Sequence, residues 1–246
     1  MDKLRWLSKL FTAGKHIGVM PCSSINLSLT ELIMISILDY GVGNISAILN
    51  MFNYLGFEAK TVKNAEGILA AERLVLPGVG AFDNAMKTLS DRDLIQPLNY
   101  AVLKRHTPVL GICLGMHLLA HRSEEGRLDG LGWIPAEVRL IRPSQGSQLK
   151  VPHIGWADVK PVNRHELFSH MSSCSEPNRF YFNHSYHIIC HDPSDMAAIF
   201  QYDDQLCCAL QHDNITGVQF HPEKSHRFGI SFLERWVRLT GNKVDI

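Results

Sequence analysis

Hydrophobic residues between positions 34 and 112 alternate between short apolar runs and runs with helical spacing. The run Met34-Ile-Ser-Ile-Leu predicts a buried strand that ends at a turn, and apolar residues at positions 45, 48, 49, 52 and 55 predict a helix that ends at Gly56. Apolar runs at 73–77 and 107–112 predict two more buried strands, separated by helical stretches at 81–89 and 94–104. Strands that alternate with helices predict a mostly parallel sheet with helices on both faces.

The pattern changes beyond Gly130, where the strand-like runs become shorter. They cover 136–141, 180–189, 196–201, 207–211 and 217–220, and a last helix covers 229–239. We therefore expect one α/β domain at 34–246, whose parallel sheet has an antiparallel extension. Residues 1–33 are interpreted as an N-terminal extension or a misassigned translation start, and a helix packed on the domain is the alternative.

Composition narrows the function classes. The 246 residues are 46% hydrophobic and 20% charged, which is enough for one sizeable core. The 24 basic and 24 acidic residues give zero formal net charge, so nothing indicates binding to nucleic acid or an anionic membrane. The six cysteines lack paired metal-ligand spacing, and the first 33 residues contain no convincing membrane span or signal peptide. A cytoplasmic protein without a metal or other cofactor is expected.

One cysteine stands between two glycines, in Gly111-Ile-Cys-Leu-Gly115, where a predicted strand meets a helix. This arrangement is typical of a nucleophile elbow, because glycines permit the strand and the helix to come close together. The helix N-terminus next to Cys113 favours its thiolate form. A buried structural cysteine is the alternative reading of the spacing alone.

A thiolate nucleophile needs a base, and the segment His221-Pro-Glu-Lys supplies one at the end of a predicted strand. Glu223 could hold the imidazole of His221 in one tautomer and stabilise its charged form. The chain has 13 histidines, so any single one is more often an ordinary surface or core residue.

Together the two segments resemble the class I glutamine amidotransferases, which have a GxCxG elbow and a later HPE sequence. The resemblance implies a catalytic triad of Cys113, His221 and Glu223. It also implies that the segment Leu76-Pro-Gly-Val-Gly-Ala-Phe is the oxyanion loop. The candidate donors to the developing negative oxygen are the backbone at Gly78, Val79 and Gly80 and the amide of Leu114.

Five further segments narrow the resemblance to the HisH glutaminase subunits of imidazole glycerol phosphate synthases. They are Asp39-Tyr-Gly-Val-Gly-Asn, Pro77-Gly-Val-Gly-Ala-Phe, Val151-Pro-His-Ile-Gly-Trp, Tyr181-Phe-Asn-His-Ser-Tyr and His221-Pro-Glu-Lys-Ser. The similarity extends from about Met34 nearly to the C-terminus. It implies a heterodimer with a HisF-type (β/α)8 cyclase, which receives the ammonia and makes imidazole glycerol phosphate and an aminoimidazole carboxamide ribotide.

The resemblance also assigns residues outside the triad. It implies that glutamine is held by His117, Glu125, Ser185 and Tyr186. It places Asn44, Trp156, Tyr181 and Lys224 toward the partner protein. Ordinary packing is the alternative for the aromatic and serine residues, and a solvated charge is the alternative for Glu125 and Lys224.

His117 departs from the family, which usually has glutamine four residues after the nucleophile. Histidine can form a hydrogen bond from that position but cannot present the paired donor and acceptor of an amide. An ordinary core histidine is the alternative for His117 itself. Three alternatives to the HisH interpretation of the whole chain stay open, although the intact triad argues against the second and the HPE sequence against the third. They are a paralogous glutaminase that supplies a sugar amidotransferase in surface polysaccharide biosynthesis, a non-catalytic binding module, and a cysteine peptidase on a related fold.

Overall fold

The computed structural model describes residues 34–162, 165–169 and 178–240. The expectation about residues 1–33 falls outside these ranges and stays untested. The N-terminal half contains strands β1 (Met34–Leu38), β2 (Glu58–Val62), β3 (Arg73–Gly78), β4 (Val109–Cys113), β5 (Arg122–Ser123) and β6 (Ala136–Leu140). Its helices are α1 (Ile45–Tyr54), α2 (Ala65–Leu69), α3 (Phe82–Asp91), α4 (Ile95–Asn99), which continues into a π-helical turn (Tyr100–Lys104), and α5 (Leu114–Leu118).

The C-terminal half consists mainly of strands. They are β7 (His153–Pro161), β8 (Asn178–His184), β9 (Tyr186–Cys190), β10 (Met196–Tyr202), β11 (Asp204–His212) and β12 (Ile215–Val218). The helical elements are α6 (Glu166–Ser169), the 3-10 turns Pro193–Asp195 and Pro222–Lys224, and the long α7 (His226–Leu239). None of the helices in the described ranges is both long and apolar enough to cross a bilayer.

The main sheet has the strand order β2-β1-β3-β4-β12-β11-β10-β7-β8. Strands β2, β1, β3, β4 and β12 run parallel to one another, whereas β11, β10, β7 and β8 continue the sheet beyond β12 with antiparallel pairs. Strands β5, β6 and β9 form a side branch that joins β11 through β9. The prediction of a parallel sheet with an antiparallel extension is confirmed.

Burial follows the layer architecture. All six residues of β3 are buried, because helices cover both faces of the central parallel strands. One core cluster contains Leu74, Leu76 and Phe82, and the other contains Phe52 of α1 and Trp236 of α7. The rings of Phe52 and Trp236 lie 6.4 Å apart, so α1 and α7 pack together over the second core. Because β3, β4 and β12 are neighbouring parallel strands, their carboxyl ends lie together at one edge of the sheet.

The sequence patterns located most elements but not every boundary. The predicted strand at 180–189 is in fact two strands, because the chain bends at Ser185 between β8 and β9. Strands β2, β5 and β7 and the short helices α2 and α6 were not predicted. Most of β2 is exposed or half-buried at the sheet edge. In β7, exposed residues such as Trp156 alternate with buried or half-buried ones, so neither strand forms a continuous apolar run.

Candidate active site

Cys113 ends β4 in a conformation that few non-glycine residues adopt. Its backbone has φ of 54° and ψ of −110°, and α5 begins at the next residue. Such a conformation persists only where the surroundings hold it, and it is typical of a nucleophile at a strand-to-helix turn. The residue is buried but keeps 7% of its surface exposed.

Two glycines allow this turn to form. A Cβ atom on Gly115 would lie 1.8 Å from the carbonyl oxygen of Leu76 in β3, and one on Gly111 would lie 2.7 Å from the carbonyl oxygen of Gly115. Neither position could accept a side chain without movement of the backbone. The glycines flanking Cys113 are therefore explained by the close approach of α5 to β3 and β4, as the sequence indicated.

The structure brings His221 and Glu223 together beside the cysteine. The Nδ1 atom of His221 is 2.8 Å from Oε1 of Glu223, and the two side chains are 3% and 2% exposed. Burial lowers the pKa of His221, but its hydrogen bonds to Cys113 and Glu223 and their charges outweigh burial and raise the pKa to about 9. Nδ1 therefore donates to the carboxylate, and Nε2 is the ring nitrogen left for the sulfur.

The sulfur of Cys113 has two further polar neighbours, one in β8 and one just after β12. The carbonyl oxygen of Asn183 in β8 is 4.0 Å away and can accept a hydrogen bond from a thiol. The side-chain Nε2 of Gln219, which follows β12, is 3.7 Å away and can donate one to a thiolate. Gln219 was not among the residues singled out in the sequence, although it lies two positions before His221.

The loop at Gly78, Val79 and Gly80 lies next to Cys113. Gly78 pairs with Cys113 across β3 and β4, and Val79 is 46% exposed. Gly80 has φ of 115°, and a Cβ built there would meet nothing within 4 Å. The loop therefore has both backbone freedom and space to move in. The amide of Leu114 is the first of α5, directly after Cys113.

Tyr40 is a further residue at this edge that sequence reasoning missed. It is fully buried, and its hydroxyl donates a 2.6 Å hydrogen bond to the carbonyl oxygen of Pro77. Burial and the nearby Cys113 raise the pKa of Tyr40, so it stays a neutral donor. Tyr40 thus fixes the start of the loop at Gly78–Gly80. Its place within the Asp39-Tyr-Gly segment was the available signal.

The predicted glutamine-holding residues occupy different environments. His117 is 3% exposed, one turn after Cys113, and its Nε2 is 2.7 Å from Oε1 of Gln219. Ser185 and Tyr186 follow closely after Asn183, whose carbonyl oxygen meets the sulfur. Glu125 is half-buried, and burial raises its pKa, while a hydrogen bond from the backbone of Phe82 acts in the opposite direction.

Asp83 holds the turn that carries Glu125. Its carboxylate accepts hydrogen bonds from the backbone N–H groups of Arg127 and Leu128 at distances of 2.9 to 3.0 Å. A Cβ on Gly126 would lie 1.9 Å from Oδ1 of Asp83, so this contact requires glycine. Glu125 is therefore tied to the N-terminus of α3, just after the loop at Gly78–Gly80.

Three of the four predicted partner-facing residues form one surface. Trp156 and Tyr181 pair across β7 and β8 with their rings 6.1 Å apart, and Nζ of Lys224 lies 5.6 Å from the Tyr181 ring. The ring of His226 stacks on Trp156 at 5.5 Å. Asn44, the fourth, is exposed at the start of α1, which contacts the turn Pro222–Lys224.

The comparisons with known proteins identify the class. The family model for class I glutamine amidotransferases matches residues 36–238. The chain belongs to this family. The structure of PurLQS from Thermotoga maritima has the same fold, with a TM-score of 0.62 at 16% identity over 84% of this chain and 98% of that one. The glutaminase domain of CTPS from Trypanosoma brucei has a TM-score of 0.57, also at 16% identity, over 84% and 94%.

More similar relatives point to one branch of the family. The imidazole glycerol phosphate synthase subunit HisH 2 of Methanococcus maripaludis is 45% identical over 83% of this chain and 99% of its own length. The subunit HisH 2 of Pseudomonas aeruginosa is 44% identical over 84% and 100%. The subunit HisH of Bdellovibrio bacteriovorus is 43% identical over 82% and 98%.

Proposed function

We propose that this chain is a HisH-type glutaminase subunit that hydrolyses glutamine to glutamate and ammonia with Cys113, His221 and Glu223. The observation that carries the proposal is the placement of Cys113 in a strained strand-to-helix turn, beside an imidazole that a buried carboxylate orients. The family match and the HisH relatives support the same chemistry.

The reaction follows from these groups. The thiolate of Cys113 attacks the carboxamide carbon of glutamine, and backbone N–H groups at Gly78–Gly80 and Leu114 stabilise the resulting oxyanion. The imidazolium of His221 protonates the leaving nitrogen, so ammonia departs and a thioester remains. The same ring then takes a proton from water, which hydrolyses the thioester to glutamate. Ser185, Tyr186, Glu125 and His117 are the residues we assign to holding glutamine.

The Glu223→Gln variant tests the role of the carboxylate. We expect kcat for glutamine hydrolysis to fall by about a hundredfold or more, because the neutral amide stabilises the imidazolium less well. In the wild type, the raised pKa of His221 contributes stability that is complete below about pH 6.5 and is lost as the pH rises through about 9. Thermal unfolding measured across this range should show a smaller loss in the variant.

The matched control is Glu234→Gln on α7, an exposed carboxylate that pairs with Arg238. This variant should keep both the activity and the pH dependence of the wild type. If Glu223→Gln had the same kcat and the same stability profile as the control, the carboxylate would have no role in orienting His221.

The partner we propose is a HisF-type (β/α)8 cyclase, so that the ammonia is used to make imidazole glycerol phosphate. The docking surface consists of Trp156, Tyr181, Lys224 and His226, with Ile154 exposed by 60% on the same strand as Trp156. Exposed aromatic and apolar side chains grouped in this way are typical of protein interfaces.

A second candidate keeps the glutaminase chemistry but changes the acceptor. The relatives from M. maripaludis and P. aeruginosa are both numbered HisH 2, which distinguishes them from a first HisH. A second glutaminase can supply a different synthase, and the candidate is a sugar amidotransferase of surface polysaccharide biosynthesis.

Reconstitution separates the two candidates. The chain is mixed with glutamine and either the HisF-type cyclase with its ribonucleotide or the sugar amidotransferase with its nucleotide sugar. We expect formation of imidazole glycerol phosphate, dependent on glutamine, in the first mixture. If only the second mixture gave product, the amidated sugar, the chain would be assigned to surface polysaccharide biosynthesis instead.

A further inference from the structure

Gln219 is a fully buried polar residue at the edge of the sheet that carries the nucleophile. Strand β12 runs parallel to β4 with Val218 opposite Ile112, so the next residues, Gln219 and Cys113, lie side by side. The backbone N–H of Gln219 donates to the carbonyl oxygen of Cys208 at 2.9 Å, which fixes the residue in place. A buried amide is stable only when its polar atoms have partners.

Both polar ends of the Gln219 side chain have such a partner. Its Oε1 lies 2.7 Å from Nε2 of His117, and its Nε2 lies 3.7 Å from the sulfur of Cys113. Burial lowers the pKa of His117 to about 4, and the hydrogen bond to Gln219 only partly opposes this effect. The ring is therefore neutral near pH 7 and carries one N–H. In the structure Oε1 of Gln219, which can only accept, faces Nε2 of His117, and this orientation places the N–H on Nε2.

The direction of these bonds matters for the sulfur. With Oε1 held by His117, the amide N–H points at Cys113, where it stabilises a thiolate. The opposite orientation would place an oxygen against the sulfur and disfavour the anion. The carbonyl of Asn183 can accept only from a thiol, so of these two neighbours Gln219 is the one that favours ionisation.

We propose that Gln219 is a positioning residue that stabilises the thiolate of Cys113 by donating a side-chain N–H, and that His117 holds the amide in the required orientation. This inference rests on the proposed role of Cys113 as the nucleophile. His117 stands where the family usually has glutamine. The inference gives this histidine a second role, orienting the amide of Gln219, in addition to the proposed contact with the substrate.

The test is the pH profile of alkylation of Cys113 by iodoacetamide, followed on the Cys113 peptide by mass spectrometry. Gln219→Met keeps the length of the side chain but removes the N–H. We expect its profile to shift upward by about one pH unit, with alkylation near neutral pH slower by about tenfold. Gln219→Glu should shift the profile further, because a carboxylate beside the sulfur repels the thiolate.

Variants of His117 test the second step. His117→Leu should shift the profile in the same direction by less, because the amide is then free to turn. His117→Gln restores a donor to Oε1 and should recover most of the wild-type profile. Gln201→Leu, an exposed glutamine on β10, is the control that should leave the profile unchanged.

Folding is checked by thermal unfolding of each variant, and the near-isosteric Gln219→Glu provides the readout if Gln219→Met does not fold. A wild-type alkylation profile in a folded Gln219 variant would overturn the proposal. Alkylation of Cys113 does not require glutamine turnover, so it tests the role of Gln219 separately from the proposed function. Failure of the proposed function would be seen instead as glutaminase activity that persists in Cys113→Ala.

Discussion

Cys113→Ala is expected to abolish glutamine hydrolysis while the fold survives. The methyl group cannot form the thioester, and the loss in kcat should reach about four orders of magnitude or more, as expected for a nucleophile that works as a unit with its base. The measurement is glutamate release in the presence of the partner, with the unfolding temperature measured in parallel. The fold should tolerate alanine, because the substitution removes a single buried sulfur atom and adds nothing to the turn.

Cys190→Ala is the control for loss of a different thiol in the described part of the chain, and it should remain active. Synthesis from added ammonia in the complex should persist in Cys113→Ala, because the proposed cyclase would carry out that chemistry. Near-normal glutamate release from Cys113→Ala would exclude the proposed nucleophile.

The free chain is expected to hydrolyse glutamine slowly, and its kcat should rise by about a hundred- to a thousandfold when the cyclase and the cyclase's ribonucleotide are bound. This range is the typical effect of one oxyanion donor. The loop at Gly78–Gly80 could reorient to supply such a donor. Tyr40 fixes its start at Pro77, while Gly80 has a positive φ and open space around it. Glutamine would then be spared when no acceptor is present.

A steady-state glutaminase assay checks this expectation in three mixtures: the chain alone, the chain with the cyclase, and the chain with the cyclase and its ribonucleotide. Trp156→Ala provides the matched control, because it should weaken activation through the docking surface while the slow basal rate stays the same. Full activity of the chain alone would rule out control by the loop.

The sequence predicted those parts of the structure whose form depends on residues close together in the chain, such as buried apolar strands and the turn at Cys113. The apolar runs of β1, β3 and β4 are buried on both faces, so the strands could be recognised without knowing their neighbours. Cys113 could be placed at a strand end because the glycines around it permit close packing of α5 on the sheet, which a side chain at either position would obstruct.

The parts that the sequence did not predict depend on contacts between distant segments. Strand β7 is recognisable mainly by its pairing with β8 and β10, and its side chains do not form an apolar run. The hydroxyl of Tyr40 donates a hydrogen bond to Pro77, which is 37 residues away in the sequence. The side-chain amide of Gln219 contacts the sulfur of Cys113, at a separation of 106 residues. Only the order of strands in the sheet brings these atoms together.

The most direct test of the account is detection of the covalent intermediate. The chain, its partner and glutamine are mixed, quenched in acid during turnover, digested and analysed by mass spectrometry. The account predicts a peptide containing Cys113 that carries one glutamyl group, which is absent from Cys113→Ala and released by hydroxylamine. Turnover with no such adduct, or with the glutamyl group on another residue, would contradict the mechanism.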